Sequence, residues 1–154
     1  MSYDIYANSI CHKTQRAAKA MLQADVSGGD VTTVTADQIF GGIEAGSVTA
    51  KRVVCVSRKA DSEEIFDGNW DAELEIQCIC PAADITEDDF HEFCGQIYSR
   101  FFQAPADVAT ALSNAAIQYT AQFVSPKSQD WDLEDDTWRG RLVLSVKCCG
   151  SVIA

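Results

Sequence analysis

The segment from Phe90 to Phe101 constrains this chain more than any other. Phe90, Phe93, Cys94, Ile97, Tyr98 and Phe101 recur at the spacing of one helical face. Three phenylalanines and a tyrosine on one stripe must be covered by something equally apolar. Thr86 stands ahead of the stripe with Asp89 three residues on, a capping box with Asp in place of Glu. Glu87, Asp88 and Asp89 also suit the positive end of the helix dipole. The pattern predicts an amphipathic helix laid across a sheet.

The flanking segments supply the sheet. Lys51 to Lys59 contains Val53, Val54, Cys55 and Val56. From Ala72 to Cys80, Leu74, Ile76, Cys78 and Cys80 alternate with Glu73, Glu75 and Gln77, the signature of a half-buried strand. Asp67-Gly68-Asn69 offers turn chemistry between them, so an antiparallel hairpin with a wide loop is expected. Pro81 closes the second strand. A final pair follows: Ile117, Tyr119, Ala121 and Phe123 face one way, and Trp138, Leu142, Leu144, Val146 and Cys148 do the same further on. Between them Ser125 to Asp136 reads as a long acidic loop carrying Asp130, Asp132, Glu134, Asp135 and Asp136.

Ahead of these lies a helix from about Ser9 to Ala24, capped by Ser9 and ended by Ser27-Gly28-Gly29. Its stripe is Ile10, Thr14, Ala17, Ala18, Met21 and Leu22. Residues 30–50 are rich in Thr, Val and Gly. Val31 to Thr35 reads as a short strand, and Gly41-Gly42 with Gly46 as a mobile loop. Pro105 opens a shorter helix through Val108 and Leu112. The order predicts one α+β domain over residues 1–154, with a flexible loop at about 25–50. It is a two-layer sandwich, a mainly antiparallel sheet of about four strands with helices packed on one face.

Composition narrows the function. The 154 residues carry 12 Lys and Arg against 23 Asp and Glu, a net charge of −11. That balance argues against gripping nucleic acid or an anionic membrane, since both need clustered bases. No run of about 18 apolar residues exists to form a membrane-spanning helix. The N-terminal residues lack a secretory signal pattern. Seven cysteines, mostly inside apolar patterns, read as small buried hydrophobes in a reducing compartment, so a cytosolic site of assembly is expected.

Motifs for chemistry are weak. Cys78-x-Cys80 with His91-x-x-Cys94 brings together four residues of metal-ligating type, but the spacing is not that of paired Cys-x-x-Cys, and burial accounts for the cysteines. Cys11 beside His12 lacks the glycine-rich turn that lowers a thiol pKa at a helix start. Asp130, Asp132 and Glu134 resemble the first positions of a calcium loop, yet Asp135 stands where glycine is needed and Arg141 where the bidentate Glu belongs. No phosphate-cradling loop or nucleophile elbow is present. Neither catalytic residue, metal nor cofactor is expected. Charge is unevenly spread: from Asp61 to Glu92 there are 12 acidic residues and no Lys or Arg, whereas Arg139, Arg141 and Lys147 occupy the polar face of the last strand. Such a subunit can complement copies of itself head-to-tail.

The order of elements resembles the tail-terminator (minor tail, tail-completion) proteins of long-tailed bacteriophages. The resemblance rests on the N-terminal helix, the Gly-rich loop ahead of Val53–Val56 and the hairpin to Leu74–Cys80. It continues through the Thr86–Phe102 helix and the closing pair Ile117–Val124 and Trp138–Cys149, and Asp136–Leu142 is similar to that family's entry to its last strand. The resemblance implies a virion protein, assembled in the bacterial cytoplasm, that forms a homo-hexameric ring. The ring would cap the head-proximal end of the tail tube, end its polymerisation and meet the head connector. DNA passes through the centre unread, past an acidic lumen for which Asp130, Asp132, Glu134, Asp135 and Asp136 are candidates. Arg139, Arg141, Lys147, Trp131 and Trp138 are the candidate subunit contacts. Two alternatives stay open: another neck or tube-related subunit, and a cytosolic α+β enzyme or ligand-binding domain.

Overall fold

A computed structural model describes residues 9–42, 50–62, 69–103, 105–115 and 119–150. The helix α1 (Ile10–Ser27) starts at Ser9, whose side chain accepts from the His12 amide at 3.1 Å. It ends at Gly28, whose N–H bonds the Ala24 carbonyl at 2.9 Å. Strand β1 (Ile39–Gly41) is followed by β2 (Arg52–Ser62) and β3 (Asn69–Pro81). Next come α2 (Glu87–Ser99), extended by a 3₁₀ turn at Arg100–Phe102, and α3 (Pro105–Ala115). The pair β4 (Tyr119–Glu134) and β5 (Thr137–Gly150) closes the domain.

The cap at Thr86 is present: the Asp89 amide donates to its hydroxyl at 3.2 Å. Thr86→Ala is expected to cost about 1 kcal/mol, the usual value of such a cap, read as a lower urea midpoint with an unchanged slope.

The sheet has five strands in the order β1-β2-β3-β5-β4. All pairings are antiparallel except β1 with β2, which is parallel. The fold is α+β with its helices packed on the sheet, as the sequence leads one to expect. The strand count is not: β1 is the addition, three residues being too few to show a period. Val31 to Thr35 is not a strand. Its Thr32 and Thr33 amides bond the Gln96 side-chain oxygen at 3.1 and 3.0 Å instead of a ladder, and Val31 and Val34 sink into the core. Residues 43–49 and the Asp67-Gly68 part of the hairpin turn lie outside the described residues, as does Ile117.

The largest departure concerns Ser125 to Asp136. These residues are not a loop; β4 runs on to Glu134 and turns to β5 through Asp135 and Asp136 alone. Both have positive φ, 51° and 55°, the twin left-handed conformation of a type I′ hairpin. The strand is hard to read because its burial ceases after Ser125, and its one stretch of alternation, Trp131 and Leu133 among Asp130, Asp132 and Glu134, is masked by the acidic run. A second departure lies upstream. Tyr119 and Ala121 face the core, but a bulge between Ala121 and Phe123 shifts the phase. Val124 goes inside and Phe123 turns out, 48% exposed.

One core cluster lies between sheet and helices. It joins Leu22 of α1, Leu74 and Ile76 of β3, Phe90, Phe93 and Ile97 of α2, Leu112 of α3, and Leu142 and Leu144 of β5. On the sheet's other face a small second cluster is formed by Val54, Val56 and Ile79. Helix α1 covers β1 and β2, α3 covers the start of β4, and α2 lies over β3 and β5. The second half of β4 is therefore left partly uncovered, with α2 reaching it through His91 on Trp131.

Candidate functional site: the edge strand and its groove

Because α2 stops short of β4, a groove of about 340 Å³ opens between them. Its walls are His91, Gly95 and Phe102 on one side and Gln129 and Trp131 on the other, with Cys94, Tyr98 and Gly140 at its floor. Aromatic rings hold the groove's lower end in shape. Trp138 stacks on Phe90 at 5.8 Å between centroids, Trp131 leans on Trp138 at 5.7 Å, and His91 meets Trp131 edge-on at 4.6 Å. Trp131 and Trp138 thus belong to one aromatic ladder, with Trp138 its inner rung. Trp131 stays 47% exposed, and beside it Phe102 and Leu133 are 56% and 51% exposed.

Across the strand, on the other face of the sheet, the charges line up. The register places Asp130 opposite Arg141 and Asp132 opposite Arg139. Arg141 makes a two-pronged contact to Asp130 at 3.1 and 3.0 Å, and also approaches Glu75 at 3.7 Å. Arg58 pairs with the same Glu75. Lys147 donates to Asp71 at 2.9 Å. Burial works against ionisation of Asp71, but hydrogen bonds from Ser145 and Lys147 outweigh it and hold the carboxyl below its usual range. Of the three expected basic contacts, Arg141 and Lys147 are therefore engaged within the chain. Asp130, Asp132, Glu134 and Asp135 border a polar hollow of about 460 Å³ with Arg139 and Arg141, and Asp136 completes the turn beside it.

The calcium-loop likeness ends here, since a strand spaces Asp130, Asp132 and Glu134 in a row and does not wrap them around an ion. The four residues of the metal candidate do not gather into one site either. Cys78 and Cys94 meet under Gly140, where the Cys78 thiol hydrogen-bonds Cys94 and holds Cys94 low while burial pushes Cys78 up. His91 turns instead to Trp131 and Glu87. Among the described residues no group of three or more His, Cys, Asp or Glu is arranged for a metal. Cys55, Cys78, Cys80, Cys94 and Cys148 are buried, and burial pushes the Cys55 thiol up to about 12. They serve as core atoms.

What sequence reading missed is the groove itself and the far edge of the sheet. There Phe40 of β1 is 36% exposed, with the Arg52 guanidinium 5.8 Å from its ring. Lys19 of α1 runs alongside Gly41, its Cδ 3.5 Å from where a Cβ would sit. The β1–β2 pairing sets Phe40 beside Arg52 on one face of the sheet, while Lys19 approaches β1 from the other.

No family model and no curated protein matches the chain. Among solved structures, the fold is similar to a chain of one described as "Virion of native gene transfer agent (GTA) particle". The superposition covers 97% of this chain and 100% of that one, with a TM-score of 0.51 and 17% identity. The likeness spans both chains end to end, so it concerns the whole architecture. No described helix is long and apolar enough to cross a membrane.

Proposed function

We propose that this protein is a structural virion subunit of phage-like particles, and that its role is that of a tail terminator. The observation that carries the reading is the end-to-end fold likeness to a chain of a gene transfer agent particle. The element order resembles tail-terminator proteins independently of it. In this reading residues 1–154 form a single domain, and copies assemble into a ring, a hexamer by the resemblance. The ring sits on the head-proximal end of the tail tube, stops its growth and joins the head connector. Its task is non-catalytic: a subunit of this kind works through the surfaces it offers. The protein belongs to the virion neck and is assembled in the bacterial cytoplasm.

The chemistry of β4 and β5 fits such a ring. With the hairpin end turned to the channel, Asp135 and Asp136 face passing DNA, and Asp130, Asp132 and Glu134 line the wall leading to it. Like charge keeps phosphates off the wall and lets DNA slide. Trp131 lies on the free edge strand, where a neighbour would make contact, with Trp138 supporting it from beneath and Arg139 beside it on β5, while Arg141 and Lys147 stiffen the strand through their own ion pairs.

The test adds purified protein to tail-tube subunits during assembly. The expected result is tubes that cease to lengthen and carry a ring at one end by electron microscopy. Tubes that grow unhindered, with the protein bound to a head connector, assign another neck role. Unhindered growth with no binding to either overturns the virion reading.

A further inference from the structure

We propose that Cys94 and Cys78 form a redox site at the floor of the groove, where a hydroperoxide oxidises Cys94 and Cys78 captures it as a disulfide joining α2 to β3.

These two stand apart from the other buried cysteines because they meet across two elements. Cys78 lies on the face of β3 that carries Leu74 and Ile76 into the core, and Cys94 belongs to the α2 stripe packed in the same core. The register sets Gly140 of β5 beside Cys78. A Cβ on Gly140 would stand 2.9 Å from the Cys94 sulfur and 2.8 Å from the Tyr98 hydroxyl, so the missing side chain leaves room for both against the sheet. There the Cys78 thiol donates to the Cys94 sulfur. The buried Tyr98 hydroxyl has no nitrogen or oxygen partner among the described residues and lies against the same sulfur. The bond from Cys78 outweighs burial and, with the Tyr98 hydroxyl, holds the Cys94 thiol below its usual range. Donors around a sulfur favour the thiolate, which is the reactive form.

Access divides the roles between the two. Cys94 forms part of the groove floor, whereas Cys78 lies behind it with 0% exposure. An oxidant entering between Trp131 and Gly95 therefore meets Cys94 first. A hydroperoxide is small and uncharged, as walls of this kind require.

The Cys94 thiolate attacks one peroxide oxygen. The O–O bond breaks, the leaving oxygen takes up a proton, and Cys94 becomes a sulfenic acid. The Cys78 sulfur then attacks the Cys94 sulfur. The S–O bond breaks, and the hydroxide leaves with the Cys78 proton as water. The two sulfurs give up two electrons, and the peroxide accepts them. The new bond closes a loop of about 15 residues and pins α2 to the sheet. In a reducing compartment the pair remains as thiols. Only the timing, thiols during assembly and a disulfide after release, rests on the virion reading.

The experiment treats the full-length protein carrying Cys11→Ser and Cys149→Ser, which removes the two partly exposed thiols, with hydrogen peroxide. The intact mass is expected to fall by about 2 Da, the loss of two hydrogens. Peptide mapping is expected to place the bond between Cys78 and Cys94. In the same background Cys78→Ala stops at the sulfenic acid, trapped by dimedone on Cys94, and Cys94→Ala loses no hydrogens. Circular dichroism checks that both fold. The disulfide is expected to lower the unfolding constant about 100-fold, read as a higher urea midpoint that dithiothreitol reverses. Thiols that all survive, a bond from Cys78 to its β2 neighbour Cys55, or dimedone on another cysteine overturns the site. A bond that leaves the urea midpoint unchanged overturns its role in pinning α2. The tube-length assay reads the ring role separately, so a terminator whose thiols resist peroxide refutes this site and not the function.

Discussion

Gly140→Ala is expected to lower stability by about 2–3 kcal/mol, the cost of overpacking a closed core. Gly140 lies in β5 opposite Cys78 of β3 and Trp131 of β4, beneath α2. A Cβ placed there would stand 2.8 Å from the Tyr98 hydroxyl and 2.9 Å from the Cys94 sulfur, with Phe90 Cζ at 3.5 Å. All three neighbours belong to α2 and are buried. Tyr98 and Cys94 line the floor of the groove, so relief comes from pushing them into it or lifting the helix, and either loosens the packing of α2 on β5. For a domain of this size the loss corresponds to a melting temperature lower by about 5–10 °C. Gly95 is the matched control. It lies within α2 with nothing inside 4 Å of its would-be Cβ. Gly95→Ala is expected to raise stability by about 0.5–1 kcal/mol through helix propensity. Urea unfolding of the two variants side by side checks both signs. A Gly140→Ala protein within error of wild type would mean that α2 does not approach β5 as described.

How far the fold was legible depended on whether a segment's period matched its burial. The Phe90–Phe101 stripe was plain because α2 buries one clean face, and the Leu74–Cys80 alternation was plain in residue type even though Glu75 and Ile79 on the other face of β3 are buried as well. The caps at Ser9 and Thr86 were readable because they use a local side-chain bond. The tail of β4 was illegible for the opposite reason. Its residues after Ser125 are exposed on both faces, and the short alternation of Trp131 and Leu133 with Asp130, Asp132 and Glu134 reads as an acidic loop. The turn was equally opaque, since Asp135-Asp136 adopts a conformation that Asn-Gly advertises and Asp-Asp does not. Phe123 was misplaced by a single inserted residue, which no pattern of types announces.

The site divides along the same line. Trp131 and the acidic cluster could be singled out from composition alone. Their grouping could not, because Trp131 and Phe102 are brought across one groove by tertiary packing. The basic residues show the limit most clearly. Arg141 and Lys147 look available in sequence, yet Asp130 and Asp71 lie across from them in the folded sheet. Arg52 and Phe40 are far apart in sequence, and only the β1–β2 pairing brings them together.

Phe90→Ala is expected to have the largest effect of all, about 3–5 kcal/mol, as for other fully buried aromatics. Phe90 is 0% exposed and meets rings on two sides, Phe93 at 6.1 Å and Trp138 at 5.8 Å. Removing it opens a cavity under Trp138. The disturbance then travels outward, because Trp131 leans on Trp138 and His91 on Trp131. Stability and association should therefore fall together in Phe90→Ala. Trp131→Ala should separate them, since the outermost ring is half exposed and its loss costs less than about 2 kcal/mol of folding energy. Urea unfolding followed by tryptophan fluorescence reads the first quantity, and light scattering at a denaturant-free, low temperature reads the second. If Phe90→Ala retained wild-type association despite its lost stability, the aromatic ladder would not be what holds Trp131 in place. The groove would then owe its shape to the β4–β5 pairing alone.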